Sequence, residues 1–332
     1  MDKIELITGD ALEELKKLPS NTVDLIVADP PYNLSKNYKS THDSMEFNEF
    51  LNFSRRWLVA ADRVLRPGGT IYVFMGMRMI SYMYSIFETE MNYTFQNWIT
   101  WHYTQGLGKK RGFSSRHDDV LVFSKKGGKV VFNLDAIRIP QKYYRSINNM
   151  RGANPGNVWD FSHIHYSQSN RIKHPTQKPE GIVERMVLAS SNENDIVVDP
   201  FSGSGTTLRV CQQLNRKVIG IELEPSFVME TKERLSKPFY GFDSIDERML
   251  RVPNDLNDSK IREEYFSNHI NWFLHNHESS IEKFINDFIS KYHQKISEEE
   301  YRYIDTVAKS HGVSNKKIGN VHTNPELLED EK

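Results

Sequence analysis

The chain has 332 residues and a formal net charge of −1, with 38% hydrophobic and 26% charged residues, a composition typical of a globular protein of one or two domains. A single cysteine, Cys211, excludes an internal disulfide and a multi-cysteine zinc site and favours a reducing, cytoplasmic setting. No apolar run approaches the roughly 20 residues that span a bilayer, and the acidic N-terminus is unlike a signal peptide.

The first hundred residues alternate between two apolar patterns. Short aliphatic runs that end at Gly, Asp or Pro predict strands, and runs with helical periodicity predict helices. In chain order they predict a strand at 4–8, a helix at 11–18, a strand at 22–28, a helix at 47–65, a helix-ending turn at 66–69 and a strand at 70–75. This alternation predicts a parallel sheet covered by helices.

The middle of the chain is less regular than its flanks. Two strands are expected at 93–101 and 119–123, paired with each other, within a stretch from 103 to 169 that otherwise indicates long loops. Regular structure then resumes with a helix at 179–191, a strand at 195–198, a helix at 206–214, a strand at 217–221 and a helix at 225–235. Residues 253–332 are polar, mildly acidic and helical in pattern.

Charge is unevenly distributed. Between His102 and His174 there are thirteen Lys and Arg residues and only four acidic residues. Such a local surplus in a near-neutral protein is expected of a phosphate-binding surface. A solvated basic loop region is the alternative, and the charge pattern alone does not separate the two.

The segment 195–206, with the sequence DIVVDPFSGSGT, predicts a buried strand, a glycine-rich turn and a helix. Such a turn presents backbone N–H groups at the carboxyl edge of a sheet. No lysine follows Gly205, which excludes a P-loop, and Leu208 stands where a dinucleotide fingerprint needs a small residue. S-adenosylmethionine remains as the candidate ligand, with Glu222 suited to its ribose hydroxyls; an ordinary tight turn is the alternative.

A second segment, Asp29-Pro30-Pro31-Tyr32 (the DPPY segment), directly follows a predicted buried strand. The prolines remove two N–H donors, so carbonyl oxygens and the Asp29 side chain are presented as acceptors. Two acceptors that bind an exocyclic amino group localise its lone pair for attack on a sulfonium methyl. Tyr32 offers a ring on which a flipped base stacks. A simple strand-ending turn is the alternative.

A third segment, HPTQKP at 174–179, precedes the helix at 179–191. Thr176 is a candidate cap and Pro179 suits a first helical turn.

In this order the three segments resemble the β class of DNA amino-methyltransferases of bacterial restriction–modification systems, within the N(4)/N(6)-methyltransferase family. The resemblance covers about residues 1–237 and implies an α/β, Rossmann-like methyltransferase fold dependent on S-adenosylmethionine, with circularly permuted motif order. It divides the chain into a catalytic half at 1–102, a target recognition region at 103–173, a cofactor-binding half at 174–237 and a helical C-terminal extension at 238–332.

The resemblance also implies roles for individual residues. The target amino group would be held by Asp29, Pro30, Pro31 and Tyr32. The cofactor would be bound by Asp10, Ala11, Asp29, Gln177, Lys178, Asp199, Phe201, Gly203, Ser204, Gly205, Thr206 and Glu222. Trp101 or Tyr103 would help to form the base pocket, and the segment 116–118 matches a family segment of less certain role. DNA contacts are expected from the basic residues Lys109, Lys110, Arg111, Arg116, Lys142, Arg145 and Arg151, and the loop at 33–44 is expected to close over the base.

The implied reaction is direct methyl transfer to N6 of adenine in double-stranded DNA, because Asp at the start of the DPPY segment usually accompanies adenine in this family. N4 of cytosine remains an alternative, as does an inactive nucleic-acid-binding regulator. Methylation at cytosine C5 is set aside, since Cys211 lies mid-helix without a preceding proline. A homodimer and a cognate restriction endonuclease are further possibilities that the resemblance raises.

Overall fold

The computed structural model describes residues 3–33, 37–38, 41–42, 44–103, 108–139, 153–164, 172, 176–237 and 302. The chain divides into two units, one of residues 1–133 and 156–246 and the other of residues 134–155 and 247–332. In the second unit the described residues form a 3-10 helix at Leu134–Ile137 and an isolated bridge between Ile139 and Ala153. Apart from residue 302, the expected extension at 238–332 lies outside the described residues.

The first unit is built on one eight-stranded sheet. Its strands are β1 (Ile4–Thr8), β2 (Val23–Ala28), β5 (Leu65–Met75), β6 (Tyr93–His102), β7 (His117–Lys125), β8 (Val158–Asp160), β9 (Ile196–Asp199) and β10 (Lys217–Glu222), in the order β1-β10-β9-β2-β5-β7-β6-β8. The strands β3 (Asn37–Tyr38) and β4 (Thr41–His42) form a separate antiparallel pair.

The sheet is mixed rather than wholly parallel. The neighbours β1, β10, β9, β2 and β5 run parallel, β7 runs antiparallel to both β5 and β6, and β8 is parallel to β6. The α/β class is therefore confirmed, as is the predicted pairing of 93–101 with 119–123. The expectation of a fully parallel sheet is wrong at β7.

Strand β5 begins earlier than its sequence predicts. The segment 66–69 was expected to form a turn before a strand at 70–75, yet Val23 of β2 pairs with Leu65 and Leu25 with Thr70. The intervening residues form a bulge within the strand. Gly68 adopts a left-handed φ of 79° there, and a Cβ at that position would collide with the Lys129 backbone, so glycine is required at this point.

Six helices cover the sheet in the described part of this unit. They are α1 (Ala11–Lys17), α2 (Phe47–Val64), α3 (Ile80–Glu90), α4 (Glu180–Ser190), α5 (Thr206–Gln213) and α6 (Pro225–Ser236). Helix α2 packs on α1 and α3, whereas α5 packs on α4 and α6. None of the helices in the described ranges combines the length and apolar character that a bilayer crossing requires.

Helix α3 was not predicted from the sequence. It buries Ile80, Met83, Ile86 and Phe87, and the Phe87 ring stacks on Phe123 of β7 with 4.3 Å between centroids. Its packing therefore covers the antiparallel part of the sheet.

The strand order brings the loops that follow the parallel strands to one edge of the sheet. The carboxyl ends of the parallel strands meet at this edge, and antiparallel β7 presents its amino end there. The chain leaves β2 towards β5 and leaves β9 towards β10, so a crevice opens between β2 and β9 at the point where the strand order diverges.

Candidate active site

Asp29 directly follows β2, and both of its carboxylate oxygens are held. The Tyr32 hydroxyl donates a hydrogen bond to Oδ1 at 2.9 Å, and the Lys178 ammonium lies 2.8 Å from Oδ2. Pro30 and Pro31 stand between Asp29 and Tyr32 and contribute no N–H donor. A carboxylate has about four lone-pair positions, so Asp29 is fixed in orientation and still able to accept further hydrogen bonds.

The Tyr32 ring is packed into the wall of the crevice. It is 8% exposed, and a Cβ at Gly76, just after β5, would lie 3.3 Å from its Cδ2 atom. The Lys178 ammonium lies 5.2 Å from the ring centroid, within cation–π range. Gly76 after β5 and Lys178 before α4 therefore hold the Tyr32 ring in place.

Asn33 and Met45 join the two ends of the loop that follows the DPPY segment. The Asn33 amide donates to the Met45 carbonyl at 2.9 Å, and its Oδ1 accepts from the Met45 N–H at 2.7 Å. The loop expected at 33–44 to close over the base lies mostly outside the described residues.

The glycine turn between β9 and α5 needs its glycines for conformation and for space. Gly203 and Gly205 have left-handed φ angles of 48° and 71°. A Cβ at residue 205 would overlap the methyl group of Thr231 in α6. The Thr231 hydroxyl donates to the Gly203 carbonyl at 3.2 Å, so the same side chain holds the turn and leaves no room for a larger residue.

A buried ion pair supports the turn from behind. Arg234 donates to the Ser204 carbonyl at 2.8 Å and pairs with Glu180 at 2.5 Å, with both side chains almost fully buried. These bonds tie the Ser204 carbonyl of the turn to α6 and tie α6 to the start of α4.

Glu222 ends β10 and binds backbone N–H groups with both oxygens. It accepts from Gly203 at 2.8 Å and from Glu224 at 2.8 Å. Burial raises the pKa of Glu222, although these hydrogen bonds oppose the shift. On the next strand, Asp10 follows β1 and caps α1 by accepting from the Leu12 N–H at 2.9 Å.

Asp199, the last residue of β9, is the most perturbed acid of the described site. Burial raises the pKa of Asp199 to about 7, and the nearby Asp29 and Glu222 carboxylates add to the shift. Hydrogen bonds from Thr207 and from the Phe201 N–H oppose it. A buried acid that titrates near neutrality in a crevice is typical of a binding or catalytic site.

The HPTQKP segment links the two halves of the crevice, although its helix begins later than predicted. The Thr206 hydroxyl of α5 donates to the Lys178 carbonyl at 3.1 Å, and Gln177 accepts from the Ile172 N–H at 2.9 Å. The predicted capping by Thr176 is wrong. Helix α4 begins at Glu180 after an extended Pro179, with no side-chain cap, because Thr176 lies three residues before that position.

Aromatic and polar side chains gather at the ends of β6, β7 and β8. The His163 ring lies 4.0 Å from the Tyr103 centroid and 4.7 Å from the Trp101 centroid. Trp101 is fully buried and donates through Nε1 to the Phe161 carbonyl at 2.7 Å. Burial, together with the charge of Asp118 and a hydrogen bond to it, raises the pKa of Tyr103 to about 12.

One cavity of about 710 Å³ lies among these segments. The four residues of the DPPY segment line it, as do the following residues expected to bind the cofactor: Asp10, Ala11, Gln177, Lys178, Asp199, Phe201, Gly203, Ser204, Thr206 and Glu222. Gly205 does not line the cavity and lies against Thr231 instead. His163, Ile164 and Asp118 complete the wall near β6, whereas Trp101 and Tyr103, expected in a base pocket, stand behind His163.

The residues expected to contact DNA fall into three groups. Lys109, Lys110 and Arg111 are exposed on the segment before β7. Arg116 is half-buried, and its carbonyl accepts from the Tyr103 N–H at 2.9 Å. The remaining three, Lys142, Arg145 and Arg151, lie outside the described residues.

Cys211 is not placed to act as a nucleophile in the described site. The Cys211 thiol is fully buried in α5, and burial raises its pKa, which disfavours the thiolate that a covalent mechanism needs. Among the residues that the structure describes, no group of His, Cys, Asp and Glu side chains is arranged to hold a metal ion.

Comparison with known proteins gives a consistent result. A family model described as DNA methylase, for N6 and N4 methyltransferases, matches residues 23–233. The chain is 58% identical over 300 residues to the Type II methyltransferase M.HpaI of Haemophilus parainfluenzae, covering 90% of this chain and 96% of that protein. It is 36% identical over 243 residues to the DNA adenine methyltransferase YhdJ of Escherichia coli (strain K12), covering 69% and 82%.

A solved structure shares the fold as well. The crystal structure of the M1.HpyAVI–SAM complex aligns with a TM-score of 0.51 and 28% identity, over 70% of this chain and all of that one. The M.HpaI match leaves only a tenth of the chain uncovered, so it must include most of the extension at 238–332.

Proposed function

The chain belongs to the N6/N4 DNA methylase family, and we propose that it transfers a methyl group from S-adenosylmethionine to N6 of adenine within a specific sequence of double-stranded DNA. The observation that carries this proposal is the position of Asp29. Its carboxylate is held on both oxygens and lines the same cavity as the glycine turn.

The cavity fits the proposed cofactor in size and in chemistry. Its 710 Å³ lies in the range of small-molecule sites. Asp199 and Glu222 line it as largely buried carboxylates with raised pKa values, so a cationic ligand with hydroxyl donors would complement them. When bound, S-adenosylmethionine supplies an electrophilic methyl group on a sulfonium. The M1.HpyAVI–SAM complex has the same fold.

The DPPY segment supplies the acceptors for the target amino group. An exocyclic amine has two N–H donors and a lone pair that is delocalised into the ring. We expect the Asp29 carboxylate and a carbonyl of the proline pair to bind the two N–H bonds, which draws the nitrogen towards a tetrahedral shape and localises its lone pair. Lys178 and Tyr32 then act as positioning residues that hold the Asp29 carboxylate.

The target base must leave the helix to reach Asp29, because the amino nitrogen is inside the duplex. Flipping costs a few kcal/mol, which contacts elsewhere must offset. His163, Asp118 and Ile164 line the cavity beside the DPPY segment, so we assign this wall to the flipped base. His163 was not predicted as a site residue, because no sequence motif marks it.

Adenine is favoured over cytosine by two observations. YhdJ, 36% identical to this chain, is named as a DNA adenine methyltransferase. The first residue of the DPPY segment is Asp, the residue that accompanies adenine in the resembled class. The acceptors of the DPPY segment suit the N6 amino group of adenine and the N4 amino group of cytosine equally well.

Labelled S-adenosylmethionine and unmodified bacterial-virus DNA test the proposal. After incubation with the purified protein, the DNA is digested to nucleosides and chromatographed. Label in N6-methyladenine is expected, and single-molecule sequencing of the same DNA then identifies the methylated site. Label in N4-methylcytosine would correct the base, and an absence of label from DNA would contradict the proposed function.

The substitution Asp29→Ala is expected to abolish transfer while cofactor binding survives, because Asp29 acts on the amino group and the glycine turn remains intact. Gly203→Asp provides the contrast. It places a side chain and a charge on a turn residue with φ of 48°, so both cofactor binding and transfer are expected to be lost. Isothermal titration with cofactor and the label assay measure the two properties. Near-normal transfer by Asp29→Ala would exclude its acceptor role.

A further inference from the structure

Phe113 is the most exposed large apolar side chain of the described residues, at 99%. It lies in the segment 108–116 (the basic turn), in which the Lys109 N–H donates to the Ser114 hydroxyl at 2.8 Å and closes the chain on itself. Gly112 has a left-handed φ of 88°, and nothing lies within 4 Å of a Cβ placed there. An isolated exposed ring is common on protein surfaces, but its apolar area gains free energy when a bound partner covers it.

The charge of the basic turn points to a polyanion as that partner. Lys109, Lys110 and Arg111 are exposed beside Phe113, and the sequence contains no acidic residue between Tyr103 and His117. Exposed cations next to an apolar ring are suited to a ligand that offers both phosphates and stacked bases.

Residues that flank the basic turn in sequence line the cavity or contact its wall. Tyr103 precedes it and packs on His163, which lines the cavity, and Asp118, two residues after the turn, lines the cavity as well. The Tyr103 N–H donates to the Arg116 carbonyl at 2.9 Å, and the Ser115 hydroxyl donates to the Met77 sulfur at 3.4 Å. The turn is therefore anchored beside the site that we assign to the flipped base.

We propose that Phe113 enters the DNA duplex at the target position and fills the gap that the flipped base leaves in the stack, while Lys109, Lys110 and Arg111 hold the adjacent phosphates. This inference rests on the proposed function. The ring stacks on the neighbouring bases and stabilises the flipped state, so it lowers the cost of extruding the target without touching the reacting atoms.

The experiment compares Phe113→Ala, Phe113→Trp and Phe132→Ala with the parent protein in single-turnover methyl transfer. Phe132 is a matched control, because it is 58% exposed and lies in the same unit away from the cavity lining. The substrate is a duplex that carries the site found by sequencing methylated virus DNA. A second duplex has an abasic site opposite the target base, which removes the pairing that flipping must break.

Phe113→Ala is expected to slow transfer on the paired duplex by about 10- to 100-fold, the loss that one aromatic–base stacking contact produces. The abasic duplex restores most of the rate, Phe113→Trp stays close to the parent, and Phe132→Ala has no effect. Melting temperatures are expected to be unchanged, since the Phe113 side chain is 99% exposed.

Three outcomes overturn the inference. Unaltered transfer by Phe113→Ala on the paired duplex would exclude a role in flipping. Equal loss on both duplexes would mean that the ring only contributes to binding. If the parent protein labels no DNA, the proposed function fails and the inference fails with it. If the parent protein labels DNA and Phe113→Ala labels it equally fast, only the inference fails.

Discussion

Lys178 and Asp29 form an ion pair across the crevice, with Nζ 2.8 Å from Oδ2. Lys178 belongs to the HPTQKP segment before α4 and Asp29 to the DPPY segment after β2, so the pair joins two motifs that are 149 residues apart in sequence. The resemblance implies that Lys178 binds the cofactor. In the structure it lines the cavity and pairs with Asp29, the proposed amino-group acceptor.

The substitution Lys178→Met is expected to lower kcat by about 10- to 100-fold with little change in cofactor affinity. It removes a charge-assisted hydrogen bond, typically worth about 1.5–3 kcal/mol, and leaves Tyr32 alone to orient Asp29. Lys178→Arg retains the charge and donors and should recover part of the rate. Lys16→Met, at an exposed position on α1, controls for the lost charge. A change confined to cofactor affinity would return Lys178 to the role implied by the family.

Gly205→Ala is expected to destabilise the fold by more than about 2 kcal/mol. A non-glycine residue at its left-handed φ of 71° costs about 1–2 kcal/mol, and the added Cβ would also overlap the Thr231 methyl group. Thr231→Ser removes that methyl group and keeps the hydroxyl that holds the Gly203 carbonyl. In the Thr231→Ser background, Gly205→Ala should therefore cost less. Urea unfolding of the two single variants and the double variant measures the coupling, and additive costs would exclude the overlap.

His163→Ala is expected to reduce kcat/KM for DNA by about tenfold or more, because its ring forms the cavity wall near β6. Cofactor affinity should be unchanged, since the glycine turn lies on the other side of Asp29. His163→Phe preserves the packing on Tyr103 and Trp101 and should retain most of the activity. If His163→Phe were as slow as His163→Ala, an imidazole hydrogen bond would carry the role and the packing explanation would be wrong.

The sequence predicted the parts of this protein whose signals are local. Strand β2 is a mostly aliphatic run followed by Asp29 and two prolines, and β9 is followed by a glycine turn, so both strands and the motifs after them were located. The parallel order of the sheet then brings those motifs to one edge. Helix α3 was missed because neither a polar cap nor a glycine marks its ends, and Met79 at its N-cap makes no side-chain bond.

The missed part of the site depends on pairing between distant segments. Strand β8 has only three residues, too few for a periodic pattern, and it joins the sheet by pairing with β6. This pairing carries His163 to the end of β6, beside Trp101. Nothing in the residues around His163 specifies that neighbour, so a single sequence gives no signal for this wall of the cavity.

Cofactor affinity is expected to increase with pH up to about pH 7. Burial raises the pKa of Asp199 to about 7, so the carboxyl is protonated below that pH. A cationic cofactor favours the ionised form, and its binding below pH 7 must therefore release a proton. The cofactor affinity should rise by up to about tenfold per pH unit below pH 7 and level off above pH 7.

The stability of the cofactor-free protein is expected to change with pH in the opposite direction. The folded state holds a proton on Asp199 that the unfolded chain, with the ordinary pKa of 3.8, has already released. The contribution of this group to stability is therefore fully present below about pH 4 and is lost as the pH rises to about 7. Asp199→Asn retains an acceptor for the Phe201 N–H and cannot titrate, so it should remove both dependences. Isothermal titration and urea unfolding across pH 5–8 measure them, and an unchanged pH profile in Asp199→Asn would assign the titration to another group.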